Sequence, residues 1–353
     1  MKSLCNRVFL LCCLGSSISG MAQNDPQILR GAMVAPTVTA QDLRDLAALG
    51  ANHIRWQLTW GGFPKSPADT APPEQYLAWV RRAIWQAKAL MPLCDSLGLH
   101  VLIDLHTLPG GQALNKRTYL GHQLFRSASW QAMFRQCWVE IPIAFRHEPA
   151  VWGYDLANEP DDFSTGTSTL RWSSLYPSIA IQVRALDRHK TIIVEGSPNA
   201  RVEGLLQLQP IPKAGPVVYS LHLYTPNLFT HQGLYQYPPN VSYPGRIDGV
   251  FWDSAQLRKT LQPARDWQLQ HHTDIYVGEF SAIRWAPDNS AYRYLRDCIA
   301  LFEEWGWSWA YHAWREWDGW SVEHSTDRNQ SLPEPQPTDR LLLLQKAFRK
   351  NAP

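Results

Sequence analysis

Eight strand-like runs separated by helical patterns predict a single α/β domain folded as a closed (β/α)8 TIM barrel. Three observations carry this expectation. Most of the runs are continuously apolar, without the alternation of a half-exposed sheet, as suits strands covered on both faces. Strand–helix alternation implies right-handed crossovers and a parallel sheet. Eight such units suffice to close a barrel, and no GxGxxG follows the first run, which argues against an open dinucleotide-binding sheet.

In order, the expected strands are residues 28–34, 53–58 ("HIRWQL"), 100–106 ("HVLIDLH"), 151–158 ("VWGYDLAN"), 191–195, 217–224, 274–280 and 307–314. The expected helices are residues 39–49, 74–97, 129–146, 170–186, 254–269, 290–305 and 339–350, with a short fifth connection over 201–208. Thr39 and Asp42 have the spacing of a capping box, with Asp in place of Glu. Pro92 should kink or split the second helix. The Pro-rich stretch 332–337 reads as a rigid loop, and no linker or internal repeat marks a second domain.

Composition narrows the function. The chain has 353 residues, 12% aromatic and 18% charged, with 17 Trp. Such a chain is neither disordered nor coiled-coil. Its 33 basic and 31 acidic residues lack the basic excess of a nucleic-acid binder, so no nucleic-acid partner is expected.

Residues 1–22 read as a signal peptide. Lys2 and Arg7 form a basic start, residues 8–14 an apolar stretch too short to span a membrane, and Gly20-Met21-Ala22 a small-residue cleavage site. An uncleaved anchor is the alternative. Cleavage removes two bases and leaves 31 of each charge on a domain spanning 23–353, a neutral chain expected to be secreted or periplasmic, monomeric and free of the membrane. Three cysteines remain, Cys94, Cys137 and Cys298, all in helical apolar patterns and expected to be buried thiols.

The polar residues gather where such a barrel places its site, at the C-terminal strand ends. They are Arg55 on the second strand, His106 after the third, Asn158-Glu159-Pro160 after the fourth, His222 and Tyr224 on the sixth, Glu279 on the seventh and Trp314 after the eighth. Charged groups facing a barrel interior are costly unless paired or functional. Two carboxylates flanking one bond can cleave a glycosidic link, provided one is protonated and the other ionised. Arg55 suits the ionised partner, and His222 and Asn158 can hydrogen-bond the other or the sugar.

Taken together and in order, these residues resemble the retaining glycoside hydrolases of family 5, the cellulase family, over essentially the whole of 23–353. "NEP" (158–160) resembles its acid/base motif, "GEF" (278–280) its nucleophile motif, "DLHTLPGG" (104–111) its third-strand loop and "HLY" (222–224) its His-x-Tyr pair. Arg55 and Trp314 match the family's Arg and Trp. The resemblance implies that Glu159 is the acid/base and Glu279 the nucleophile of a double displacement, with carboxyls about 5–5.5 Å apart. It implies that Asn158 binds the sugar 2-hydroxyl, that Tyr224 and Arg55 keep Glu279 oriented and ionised, that His222 tunes Glu159, that His106 contacts sugar hydroxyls, and that Trp314 floors the −1 subsite. The implied substrate is a β-1,4-glucan cut internally, without a cofactor or metal; a β-mannanase or an exo-acting β-glucanase would use the same barrel.

Sugar rings stack their C–H faces on aromatic planes, so a glycan cleft is lined with Trp and Tyr. Trp56 and Trp60 near the second strand, and Trp317 and Trp320 after the eighth, are candidate stacking residues, with Tyr235, Tyr237, Tyr243 and Trp252 in the sixth connection. Trp79, Trp85, Trp130, Trp138 and Trp267 lie in helical patterns and are expected in the core. Arg315, Glu316, Asp318 and Glu323 can recognise substrate hydroxyls or pin the eighth-strand loop, and pinning is the expectation. Rival classes fit less well: a metal hydrolase lacks His-x-His on the first strand, a Ser–His–Asp hydrolase lacks GxSxG, and a non-catalytic glycan-binding barrel has no reason to keep both glutamates. No carbohydrate-binding module is visible, which favours soluble or short substrates over crystalline cellulose.

Overall fold

All eight apolar runs become parallel strands of one closed barrel, each beside its neighbour in sequence and the eighth beside the first. The computed structural model describes residues 28–59, 73–115, 118–163 and 169–351. The barrel strands are β1 (Arg30–Val34), β2 (His53–Gln57), β3 (His100–Asp104), β6 (Val151–Asp155), β7 (Thr191–Glu195), β8 (Val217–Leu223), β11 (Asp274–Phe280) and β12 (Ser308–Tyr311). Several end short of the apolar runs that announce them, because the last residues of each run turn outward as site loops.

Around the barrel run α1 (Ala40–Ala48), α2 (Pro73–Ser96), α3 (Ala128–Phe145), α4 (Trp172–Leu186), the short α5 (Val202–Leu205), α7 (Ser254–His271), α8 (Ser290–Trp305) and α9 (Asp339–Phe348). The capping box of α1 is complete: Thr39 accepts the Asp42 N–H, and Asp42 accepts the Thr39 N–H at 2.9 Å. Pro92 does not split α2. Met91 and Cys94 beside it are buried against the barrel, and this packing outweighs the one hydrogen bond that proline removes.

Two hairpins escape the strand expectations. One is β4 (Gln112–Asn115) with β5 (Thr118–His122); the other is β9 (Gly245–Ile247) with β10 (Val250–Trp252), after the one-turn α6 (Asn227–Thr230). The second had a signal: Asp248 and Gly249 both have positive φ, as a type I′ turn requires.

Alternation along each strand sorts side chains between two cores. Ile54 and Trp56, Val101 and Ile103, Tyr219 and Leu221 face the helix layer. Met33, Leu102, Ile193, Tyr276 and Ala310 fill the barrel interior. Trp79, Trp138 and Trp267 belong to the outer core as expected, and Trp130 packs against it. Trp85 does not: it is 73% exposed on α2. Cys94, Cys137 and Cys298 are buried free thiols. Among the described residues no helix is long and apolar enough to cross a membrane. The expected signal segment and Trp60 lie outside the described residues.

Candidate active site

Alternation brings a charged layer to the C-terminal mouth of the barrel. In β2 the residues facing the helices are Ile54 and Trp56, so Arg55 points inward. There its guanidinium meets four carboxylates from four strands: Asp104 at 3.2 Å, Asp155 at 2.9 Å, Glu195 at 2.9 Å and Glu279 at 2.8 Å. Arg55, Asp104, Asp155 and Glu195 are fully buried. One cation cannot balance four acids. Burial and the neighbouring Glu195 push the Asp155 carboxyl far above its ordinary range.

Glu279 reaches this layer through a bulge. Tyr276 faces inward and Val277 outward. Strict alternation would then send Glu279 outward. Instead the register slips between Val277 and Glu279 in the ladder with β8, leaving Gly278 as the extra residue. Glu279 turns into the cleft and Phe280 into the outer core. Gly278 is required there: a Cβ would lie 2.8 Å from His222 Nε2 and 2.9 Å from Ser220 Oγ.

The two glutamates sit in different surroundings. The Glu279 side chain is 5% exposed. Its Oε1 accepts from Arg55 and its Oε2 from the Tyr224 hydroxyl, each at 2.8 Å. Burial alone would raise its pKa, but the charges of His222, His312 and Arg55 outweigh it and hold the carboxyl well below the ordinary range. Glu159 is 34% exposed and opens to the cleft. Its backbone is left-handed, with φ of 44°. Its N–H donates to Glu195 Oε2 at 2.6 Å, and its Oε1 lies 2.9 Å from His222 Nδ1. One oxygen of Glu159, one of Glu279 and a nitrogen of His222 all lie within 4.8 Å of one another.

His222 bridges the acids. Its Nε2 lies 2.9 Å from Glu195 Oε1, and its Nδ1 faces both Glu159 and Glu279. Burial lowers its pKa, but Glu195 and Glu279 raise it further, so the ring is an imidazolium. Asn158 accepts from Arg55 Nη2 at 3.1 Å, which fixes its amide at the cleft wall. His106 Nδ1 lies 2.7 Å from Asp104 Oδ2, turning the other ring edge to the cleft.

The cleft encloses about 910 Å³. His106, Asn158, Glu159, His222, Tyr224, Glu279, Trp317 and Trp320 all line it. Arg55 lies beneath them. Several expected aromatics do not reach it. Trp56 follows Arg55 in β2 and so points into the outer core, 1% exposed. Trp314 follows β12 by three residues and turns away: its Nε1 donates to the Asp42 carbonyl of α1, and the Arg315 guanidinium covers its ring at 4.6 Å. Tyr243 and Trp252 are likewise core residues, whereas Tyr235 stands on the cleft rim, 90% exposed.

His312 occupies the place expected for Trp314, beside Glu279. Sequence reasoning missed it, along with Glu195 and Gln57. Glu195 carried the same signal as Glu279, an acid closing an apolar strand. Glu316 was expected to pin the loop; it lines the cleft and accepts from Gln57 Nε2 at 2.8 Å. Arg315 does pin it, through Asp42, Asp45 and Glu323. The loop is held from below by Arg284, whose guanidinium donates to the carbonyls of Asp318, Ser325, Asp327, Arg328 and Gln330. Gly319 lets the Trp317 ring lie over the backbone, where a Cβ would come within 2.3 Å of it.

A closed (β/α)8 barrel with two acids facing one open, aromatic-walled cleft is the layout of a glycoside hydrolase. The chain belongs to the cellulase family, glycosyl hydrolase family 5, whose model matches residues 17–318. It is therefore a glycosidase. Endoglucanase C of Acetivibrio thermocellus is 24% identical over 296 residues, 76% of this chain and 81% of its own length. Cellodextrinase A of Ruminococcus flavefaciens is 23% identical over 250 residues, 70% of this chain and 69% of its own. Among solved structures, a glycoside hydrolase matches with a TM-score of 0.72 at 20% identity, over 91% of this chain and 99% of that one. A hyperthermophilic endo-beta-1,4-glucanase in complex with substrate matches with a TM-score of 0.67 at 18% identity, over 90% and 97%. At these identities the solved structures speak to the fold.

Proposed function

We propose that the chain cleaves internal β-1,4-glucan linkages with retention, Glu279 acting as nucleophile and Glu159 as acid/base. One observation carries the assignment: an oxygen of each glutamate lies within 4.8 Å of the other, the close approach of a retaining pair rather than the separation of about 6.5–9.5 Å that inversion uses. In the first step a Glu279 oxygen attacks the anomeric carbon. The bond to the leaving oxygen breaks, and Glu159 gives that oxygen its proton. In the second step Glu159 takes a proton from water, whose oxygen attacks the same carbon and releases Glu279.

The surroundings support this division. Glu279 is ionised by its cationic neighbours, as a nucleophile must be. Glu159 is open to the leaving group and to water. Asn158, held by Arg55, faces the 2-hydroxyl, and His106 the neighbouring hydroxyls. Trp317, Trp320 and Tyr235 offer stacking surfaces. The relatives' names support a β-glucan of short or soluble form. The basic and apolar opening of the sequence supports a protein exported as residues 23–353 and acting outside the cytoplasm.

Soluble β-glucans, mannan, xyloglucan and aryl β-cellobiosides, with product sizes and the first-formed anomer followed by NMR, test this reading. A β-anomer and mixed oligosaccharides from β-1,4-glucan are expected. A first-formed α-anomer rejects the roles; faster release from mannan, or cellobiose as sole product, rejects the substrate or the endo action.

A further inference from the structure

His312 is an ionisable cleft residue that the proposed chemistry does not use. None of the motifs shared with the family covers it, yet it touches the hydrogen-bond system of Glu279. Its Nδ1 is hydrogen-bonded to the Tyr224 hydroxyl and lies 3.3 Å from Glu279 Oε2. Its Nε2 lies 3.3 Å from Glu316 Oε2. Glu316 is held in turn by Gln57.

We propose that His312 is a positioning residue: as an imidazolium clamped by Glu316, it donates to Tyr224 and so commits the single phenol proton to Glu279. This rests on the assignment of Glu279 as nucleophile. The reason is proton bookkeeping. A tyrosine hydroxyl has one proton to donate. Tyr224 Oη sits within reach of two acceptors, Glu279 Oε2 and a neutral His312 Nδ1. If His312 were neutral with a bare Nδ1, it would compete for that proton and Glu279 would lose a donor. If His312 carries two protons, Nδ1–H donates to Tyr224 Oη and Nε2–H faces the Glu316 carboxylate in an ion pair at 3.3 Å. Every proton in the chain Glu316, His312, Tyr224, Glu279 then has one place to go.

The groups facing His312 from each side fit this arrangement. Tyr224 follows β8, Glu279 ends β11 and Glu316 follows β12. Trp320 covers the imidazole at 5.9 Å between ring centres. His231, from the sixth connection, is drawn by burial down to about 4 and so adds no charge near neutral pH. His106 also lowers the Glu316 carboxyl. Burial pulls His312 down too, but Glu279 and Glu316 push it up to about 10. Burial raises Glu316, yet its hydrogen bond to His312 brings it to about 2. The pair is thus charged across the neutral range.

The test uses 2,4-dinitrophenyl β-cellobioside, whose leaving group needs no proton, so that Glu159 does not shape the alkaline limb. Glu316→Gln removes the clamp's charge; its alkaline limb in kcat/KM should fall by about one pH unit or more. His312→Gln should lose about tenfold or more and show no such limb. An unchanged alkaline limb in Glu316→Gln, or a His312→Gln profile that is the wild-type curve merely scaled down, overturns the proposal. The imidazole ¹⁵N shifts of the wild-type protein give a second readout that needs no variant: a doubly protonated ring at about pH 8 is expected, and a neutral one overturns it. Glu279→Ala run beside these separates the two ideas, because full activity in that variant removes the nucleophile assignment, whereas its inactivity leaves His312 judged by the limbs alone.

Discussion

Glu195 accepts the backbone N–H of Glu159 at 2.6 Å, and so holds a left-handed residue at the cleft edge. A non-glycine residue in that region costs about 1–3 kcal/mol unless its surroundings hold it. Glu195 also anchors His222 Nε2 at 2.9 Å, so one buried carboxylate positions both the Glu159 backbone and the imidazolium beside its side chain.

Glu195→Gln keeps the volume and removes the charge. The expected result is a fall in kcat of about 100-fold, because small displacements of a reacting group are that costly. KM should change by far less. Steady-state kinetics with a folded variant checks it; a loss confined to KM would contradict it.

Arg55→Met leaves Asp104, Asp155, Glu195 and Glu279 around a neutral side chain. Uncompensated buried charge is worth about 3–5 kcal/mol, so the variant should unfold at markedly lower urea. A midpoint equal to that of wild type would show that the four acids do not depend on Arg55.

Trp317→Ala and Trp314→Ala should separate cleft from scaffold. Trp317 lines the cleft and is 40% exposed, so its loss should raise KM about fivefold, equivalent to about 1 kcal/mol of stacking, with kcat retained. Trp314 packs on α1, so its loss should lower the melting temperature and leave KM alone. The reverse pattern would restore Trp314 to the sugar site.

The acid limb of kcat/KM should fall below pH 4.5, the ordinary value for a glutamic acid, because the folded pKa of Glu279 is depressed. The same depression means that ionised Glu279 stabilises the fold above about pH 4.5, a contribution lost as the pH falls through the folded value. An acid limb above pH 4.5 that shifts with Glu279 would contradict this.

Where one polar residue sat between apolar neighbours, as Arg55 does between Ile54 and Trp56 or His222 between Leu221 and Leu223, period-two alternation made its inward direction legible. The same alternation should have excluded Trp56 from the cleft, and the Asp248-Gly249 pair should have announced a hairpin. Glu279 is the opposite case. Its direction depends on a bulge at Gly278, and a one-residue slip in register has no signature in a short apolar run. Choosing between His312 and Trp314 required knowing that β12 stops at Tyr311. In "WAYHAW" both residues close an apolar stretch, and only the packing of α1 against Trp314 decides which one faces the sugar. The contacts of Glu195 and Glu316 join strands far apart in sequence, and no local pattern encodes them.

The central claim is that Glu279 forms a covalent bond to the sugar. A 2-deoxy-2-fluoro β-cellobioside with an activated leaving group slows breakdown of such an intermediate, and peptide mapping by mass spectrometry then locates it. The account predicts one added fluorosugar on the peptide bearing Glu279, and none in Glu279→Ala. An adduct on Glu159, or no adduct while the compound is turned over with inversion, would contradict it.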